Sequence, residues 1–333
     1  MTVRVRVPAS TSNLGGGFDC VGIAVGRWLR LEARLTPGSA GTVELVRGGT
    51  LSAVECPPAD DLIYRGFVAA CSTAGHRVPR GLVLDATSEI PVGRGLGSSA
   101  AALVAGAAAA NALLELCLAD DEIAHLCGDI EGHDDNVGPC LLGGAVFATR
   151  SANDSTILSP IDVHRSLRLA FAVPDFPVDT HRARAALPAM IPHTDARRAV
   201  AASAALVLGL TSGDSELLAV GLEGPLHIAH RRALVHEYRS VVAAARAAGA
   251  IGATLSGSGS AIVALADKSR APAVASTMRE AWRAAGVASL SFVSAPCSDG
   301  YHVEREPEGA AARPRARANH AGAAHISKRE VTT

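Results

Sequence analysis

Val3, Val5 and Val7 alternate with Arg4 and Arg6, the pattern of a strand that buries one face. Trp28–Leu35 (WLRLEARL) alternates in the same way and leads to a turn at Pro37-Gly38, and Leu82–Thr87 (LVLDAT) is a third half-buried strand. Helical spacing takes over at Asp60–Ala74, where Leu62, Ile63, Phe67 and Ala70 share a face behind an Asp pair placed to cap the first turn. Ala100–Leu116 is rich in Ala and Leu and predicts a long helix. In the second half, Leu167, Leu169, Phe171 and Val173 form a period-two strand that stops at Pro174. Apolar stripes predict helices over Thr194–Gly209, His230–Ala248 and Ala271–Gly286. Gly252–Ala266 reads as strand, Gly/Ser turn and strand, and Val287–Val293 as a closing strand. No internal repeat is visible.

At 333 residues the chain exceeds the usual size of one core. The mixture of strands and helices predicts an α/β (α+β) protein with two lobes, residues 1–164 and 165–300, followed by a tail over 301–333. The tail holds almost nothing large and apolar and is expected to be disordered; Arg313, Arg315, Arg317, Lys328 and Arg329 read as a solvated extension rather than a nucleic-acid arm. A formal net charge of −1 favours neither nucleic acid nor an anionic membrane as partner. The N-terminal MTVRVRVPAS lacks the apolar core of a signal peptide, and the Ala-rich run is broken by Asn111 and Glu115, so a soluble, cytoplasmic protein is expected. Seven cysteines without CxxC spacing suggest small buried residues rather than a disulfide or zinc framework.

Glu89–Ala102 (EIPVGRGLGSSAAA) carries the strongest chemical signal. A strand passes through Gly93, Gly95 and Gly97 into the start of the Ala-rich helix. Glycines let backbone N–H groups converge on an anion where the helix dipole is positive. Ser98 and Ser99 add hydroxyls that can cap the helix, bind a phosphate oxygen or ligate Mg²⁺. The stretch is not a Walker A loop, because the required Lys is absent, and a glycine turn alone can equally be a plain connection.

Three further groups are chemically suggestive. Asn13 and Asp19 lie in a loop over Ser10–Asp19, where each can serve a ligand or close a local turn. Asp129, Glu131, His133, Asp134, Asp135 and Asn136 crowd into one short segment. Their hard oxygens suit Mg²⁺ better than zinc, although a solvated acidic loop would look alike. If Thr180–Pro188 turns helically, Thr180 and Arg184 share a face, and Arg184 can clamp a carboxylate.

The run from Pro91 to Ala101 (Pro91, Val92, Gly93, Arg94, Gly95, Leu96, Gly97, Ser98, Ser99, Ala100 and Ala101) resembles the phosphate loop of the GHMP small-molecule kinases. PASTSNLGGGFD, Pro8–Asp19, is similar to the first motif of the homoserine kinases in that family, EGHDDN to a second segment usually written EGHPDN, and GATLSGSGSA to the third. The resemblance spans residues 3 to 295 and implies a two-lobed fold with an N-terminal nucleotide lobe and a C-terminal ferredoxin-like lobe. It implies ATP and Mg²⁺, with Ser99 or Ser98 and Glu131, or in its place Asp129, at the metal. It assigns the amino acid to Asn13, Asp19, Asn136, Thr180, Arg184 and Arg231, the last within PLHIAHR. Asn136 and Arg184 become the catalytic residues, with Asn136 standing where mevalonate-type relatives carry an Asp base, so catalysis rests on positioning and charge neutralisation. The implied reaction phosphorylates the L-homoserine hydroxyl on the threonine pathway, with a homodimer as the expected assembly. Three departures, Gly16, Asp134 and Ser260, each stand where the family favours Pro; Gly16 predicts a more mobile loop. Another hydroxylated acceptor, or a ligand sensor without turnover, are the alternatives.

Overall fold

A computed structural model describes residues 1–36 and 43–306. The Pro37-Gly38 turn and the tail cations Arg313 to Arg329 lie outside the described residues. In chain order the first half contains β1 (Thr2–Ser12), β2 (Val21–Leu35), β3 (Glu44–Gly49), α1 (Leu62–Thr73), β4 (Leu82–Ser88), α2 (Ser98–Leu114), α3 (Asp120–Glu131), α4 (Val137–Leu142), β5 (Ala145–Arg150) and β6 (Thr156–Ile161). The second half contains β7 (Leu167–Pro174), α5 (Thr180–Ala185), α6 (His193–Ser212), α7 (Ser215–Gly221), α8 (Ile228–Arg231), α9 (Tyr238–Ala247), β8 (Gly252–Leu255), β9 (Ile262–Asp267), α10 (Ala271–Ala284), β10 (Ser289–Ser294) and β11 (His302–Glu306).

Among the described residues, seven strands form the first sheet, ordered β11-β1-β2-β4-β3, with β5 pairing β2 and β6 pairing β5. Register explains the alternation: Val3, Val5 and Val7 lie opposite Ala33, Leu31 and Leu29 on the buried face, while Arg4 opposes Glu32 on the wet face. Helix α2 lies across the buried face and is enclosed almost all round, which is why its sequence is Ala on every side rather than amphipathic. Helices α1 and α2 approach through paired glycines. A Cβ on Gly66 would sit 2.1 Å from the Leu103 carbonyl oxygen, and one on Gly106 would sit 1.8 Å from that of Ile63.

The second sheet is antiparallel in the order β10-β7-β9-β8. Numbered within the lobe this is 4-1-3-2 with helical crossovers after β7 and β9, the ferredoxin-like βαββαβ arrangement. Both faces of β7 are covered. Leu169, Phe171 and Val173 join the larger core, and Ala170 and Ala172 join a second one around Met278 and Trp282.

Four sequence expectations change. Residues 302–306 are not tail: β11 pairs with β1, placing Val303 opposite Val5, and the Tyr301 hydroxyl donates to Asp120 at 2.6 Å. The helix expected over His230–Ala248 is interrupted after Arg231 by a 3-10 turn at Arg232–Leu234, and Glu237 adopts a left-handed φ of 54° before α9. Ser10–Ser12 belong to β1 rather than to a loop; their side chains are buried and bond sideways. The acidic segment begins on a helix, so Asp129 and Glu131 occupy the last turn of α3, closed by Gly132.

Gly106→Val forces atoms into the α1 backbone and is expected to lower the unfolding free energy by about 3 kcal/mol or more, measurable as a shift in urea midpoint at unchanged slope.

Candidate active site

The glycine turn before α2 is fixed by its neighbours. Gly95 and Gly97 have φ of 75° and 65°, and a Cβ on them would lie 1.9 Å from the Ser256 carbonyl oxygen and 2.1 Å from Ser10 Oγ. Only glycine fits either position. The loop is then stitched on both sides. Ser10 N–H donates to the Leu96 carbonyl (3.2 Å), Ala261 N–H to that of Arg94 (3.1 Å), and Ser256 Oγ to that of Gly95 (2.5 Å). The third motif thus backs directly onto the loop. Gly97 provides no side-chain cap for α2, so the first-turn N–H groups remain available for an anion.

One cleft at this helix mouth is lined by Asn13, Gly93, Gly95, Leu96, Gly97, Ser98, Ser99, Glu131, His133, Asn136, Thr180, Arg184 and Arg231, with Gly257 and Ser258. Residues separated by two lobes in the chain therefore meet at one place. Asp19 borders it through a two-pronged ion pair with Arg184, at 2.9 and 3.1 Å. Asn13 Oδ1 accepts from the Asp19 N–H at 2.9 Å. Both loop residues have positive φ, 59° and 55°, a conformation Asn and Asp tolerate better than most. The same loop leaves no room for a Cβ at Gly16, which would lie 2.4 Å from the Ala202 backbone of α6.

Several expected residues are placed differently. Arg94 points away from the helix mouth and donates to the carbonyls of Pro174 (3.0 Å) and Val92 (3.0 Å) and to that of Asp175, tying the loop to the second lobe. Ala100 and Ala101 have buried side chains, and the Ala101 N–H is already committed to the Gly97 carbonyl. Pro91 and Val92 do not line the cleft. Asp129 pairs with Arg150 at 2.6 Å, outside the cleft, while Glu131 accepts a hydrogen bond from Ser99 Oγ inside it. Asp134 is explained by Arg150, whose guanidinium grips its carboxylate at 2.9 and 3.2 Å beside Gly128. Thr180 Oγ1 lies 3.2 Å from Ser258 Oγ.

Asn136 is held by the hydroxyls of β1: Ser10 Oγ donates to its Oδ1 at 2.9 Å, and its Nδ2 donates to Ser12 Oγ at 2.8 Å. Next to it, His133 Nδ1 lies 2.7 Å from Asp135 Oδ1. Burial alone would depress the His133 imidazole, but the close Asp135 carboxylate, helped by Glu131, raises it above its ordinary value. Burial would raise Asp135, and the contact with His133 holds it low instead. His133 had been visible only as a member of the acidic run; its place in the cleft depends on how Gly132 ends α3.

Two buried residues of the PLHIAHR segment, His227 and Arg231, complete the second-lobe wall. Arg231 is 1% exposed and its Nε donates to the Ala183 carbonyl at 3.2 Å. Burial and the Arg231 charge push the His227 imidazole down to about 3, while its Nε2 donates to the Gly15 carbonyl at 3.1 Å.

Family models for the GHMP kinases N terminal domain and the GHMP kinases C terminal match residues 61–144 and 206–284. A homoserine kinase from Synechococcus sp. is 37% identical over 308 residues, covering 92% of this chain and 100% of that protein. The chain belongs to the GHMP kinase family. Among its GHMP relatives, a homoserine kinase from Trichormus variabilis is 38% identical over 292 residues, 87% of this chain and 94% of that protein. The crystal structure of homoserine kinase from Cytophaga hutchinsonii superposes with a TM-score of 0.81 at 28% identity, covering 91% of this chain and 97% of that one. No helix among the described residues is long and apolar enough to cross a membrane.

A buried histidine held near 3 leaves the folded chain short of a proton that the unfolded chain binds below about 6.5. Stability from this group is present above about pH 6.5 and is lost as pH falls towards about 3, at up to roughly 1.4 kcal/mol per pH unit. His227→Gln keeps a donor for Gly15 and does not titrate, so urea denaturation between pH 7 and 4.5 is expected to show a shallower loss than in the parent.

Proposed function

We propose that this chain is an ATP-dependent homoserine kinase, forming O-phospho-L-homoserine for threonine biosynthesis. The observation that carries the reading is the meeting, in one cleft, of an uncapped, glycine-led helix N-terminus with side chains suited to both ends of a small zwitterion. The relatives named homoserine kinase, matched over nearly their whole length, support the choice of acceptor.

The free N–H groups from Gly95 to Ala100 cradle the polyphosphate of ATP, where the dipole of α2 favours negative charge. Asn13 and Asp19 take the ammonium of homoserine, and Arg184 and Arg231 its carboxylate. The Asp19–Arg184 pair is therefore already arranged with opposite charges side by side, matching the order of charges on an α-amino acid. Thr180 borders the same pocket. Ser99 Oγ and the Glu131 carboxylate are hard oxygens in contact at the helix mouth, a donor pair that would hold Mg²⁺. Bound there, Mg²⁺ would supply positive charge to neutralise the polyphosphate.

In the transfer the homoserine hydroxyl oxygen forms a bond to the γ-phosphorus as the bridging bond to ADP breaks. The Asn136 amide, fixed by Ser10 and Ser12, lines the acceptor side but cannot take a proton. A loose transition state has little need of a strong base, so the hydroxyl proton leaves late, to an oxygen of the transferred phosphate. Rate enhancement then comes from holding two substrates in line and from charge neutralisation.

A coupled ADP-release assay across homoserine, mevalonate, galactose and shikimate is expected to give turnover with homoserine alone; turnover with another acceptor in its place overturns the assignment. Arg184→Ala is expected to raise the homoserine KM roughly 10- to 150-fold, the loss of one charge-assisted contact of about 1.5–3 kcal/mol, with the ATP KM within about twofold. An unchanged homoserine KM removes Arg184 from the pocket.

A further inference from the structure

Phe18 is an aromatic residue that belongs to neither hydrophobic core. It sits between the Gly15–Gly17 turn and Asp19, and its ring stacks on His227 with centroids 4.8 Å apart and planes 21° apart. The Arg231 guanidinium lies over the same ring at 4.9 Å. His227 caps the start of the short helix α8 of the second lobe and Arg231 ends it, whereas Phe18 comes from the β1–β2 loop of the first. The loop is itself clamped: a Cβ on Gly15 would lie 2.4 Å from the Gly221 carbonyl oxygen, and His227 holds the Gly15 carbonyl. Arg231 is buried, and Nη1 has no hydrogen-bond partner among the described residues. A buried guanidinium with a spare donor is expected to have a ligand, and a ring beneath it fixes the plane of its fork.

Resting on the homoserine-kinase reading, we infer that Phe18 is a positioning residue: it aims Arg231 at the amino-acid carboxylate and sets the distance between that subsite and the ammonium subsite at Asn13 and Asp19. The ring serves two ends at once, since its own backbone carries Asp19 and its face carries Arg231. A side chain of similar bulk without a π face fills the space but leaves the fork free to tilt.

Steady-state kinetics of Phe18→Leu and Phe18→Tyr in the full chain test this. Phe18→Leu is expected to raise the homoserine KM about tenfold, equivalent to about 1.4 kcal/mol, with kcat and the ATP KM within about twofold, and Phe18→Tyr is expected to restore the parent value. An unchanged homoserine KM in Phe18→Leu overturns the inference, as does a parallel rise in both KM values, which marks a residue that only holds the loop. If Phe18→Leu does not fold, Phe18→Met supplies the same comparison. A parent protein that does not phosphorylate homoserine overturns the underlying reading and the inference with it; a parent that does, beside an unaffected Phe18→Leu, overturns the inference alone.

Discussion

The fold converges on a three-way backbone contact, with the glycine loop before α2 wedged between β1 and the turn joining β8 to β9. Gly257 N–H donates to the Ser12 carbonyl, Ser10 N–H to that of Leu96, and Ala261 N–H to that of Arg94. Each bond joins a different pair of motifs that are distant in the chain. At Gly95 and Gly97 the approach leaves no space for a side chain, so the geometry of the helix mouth follows from main chain packed on main chain. A helix mouth built this way is rigid, because shifting it requires moving β1 or β8 with it.

A seam of buried hydroxyls transmits this rigidity to Asn136. Ser10, Thr11 and Ser12 are fully buried at the end of a strand that begins with alternating Val and Arg. Their cost of burial is offset by partners: Ser10 and Ser12 on Asn136, and Thr11 on Ser256. One strand end therefore aligns Asn136 with the loop proposed to hold the nucleotide. Such a network is worth keeping only when every member is satisfied, since removing one hydroxyl would strand a buried amide.

The second lobe adds the cationic half of the pocket and couples it to the first. Arg184 reaches Asp19 across the lobes, and Arg94 reaches back in the opposite direction to carbonyls at the end of β7. With β7 buried on both faces, the lobes share the larger core rather than touching at a thin interface.

Periodicity determined most of the elements. The valine alternation in β1, the Ala-rich α2 and the strand–turn–strand at Gly252–Ala266 follow from local pattern, because each sheet face or helix stripe has one way to bury its apolar set. The glycine turn leading into α2 was legible as well, since Gly93, Gly95 and Gly97 stand directly before the Ala-rich run. What tertiary structure alone decided is partnership. Asp129 and Glu131 are two residues apart and chemically alike, yet one faces Arg150 and the other Ser99, because neighbours two apart on a helix point to different sides. The strand at His302–Glu306 has no strong pattern of its own and exists because β1 offers an open edge. Phe18 looked ordinary in the chain; only the folding of α8 against the β1–β2 loop stacks it on His227 and places it under Arg231. Local sequence fixes what a segment can become, whereas the identity of a side chain's neighbour depends on contacts between residues far apart, which no local pattern encodes.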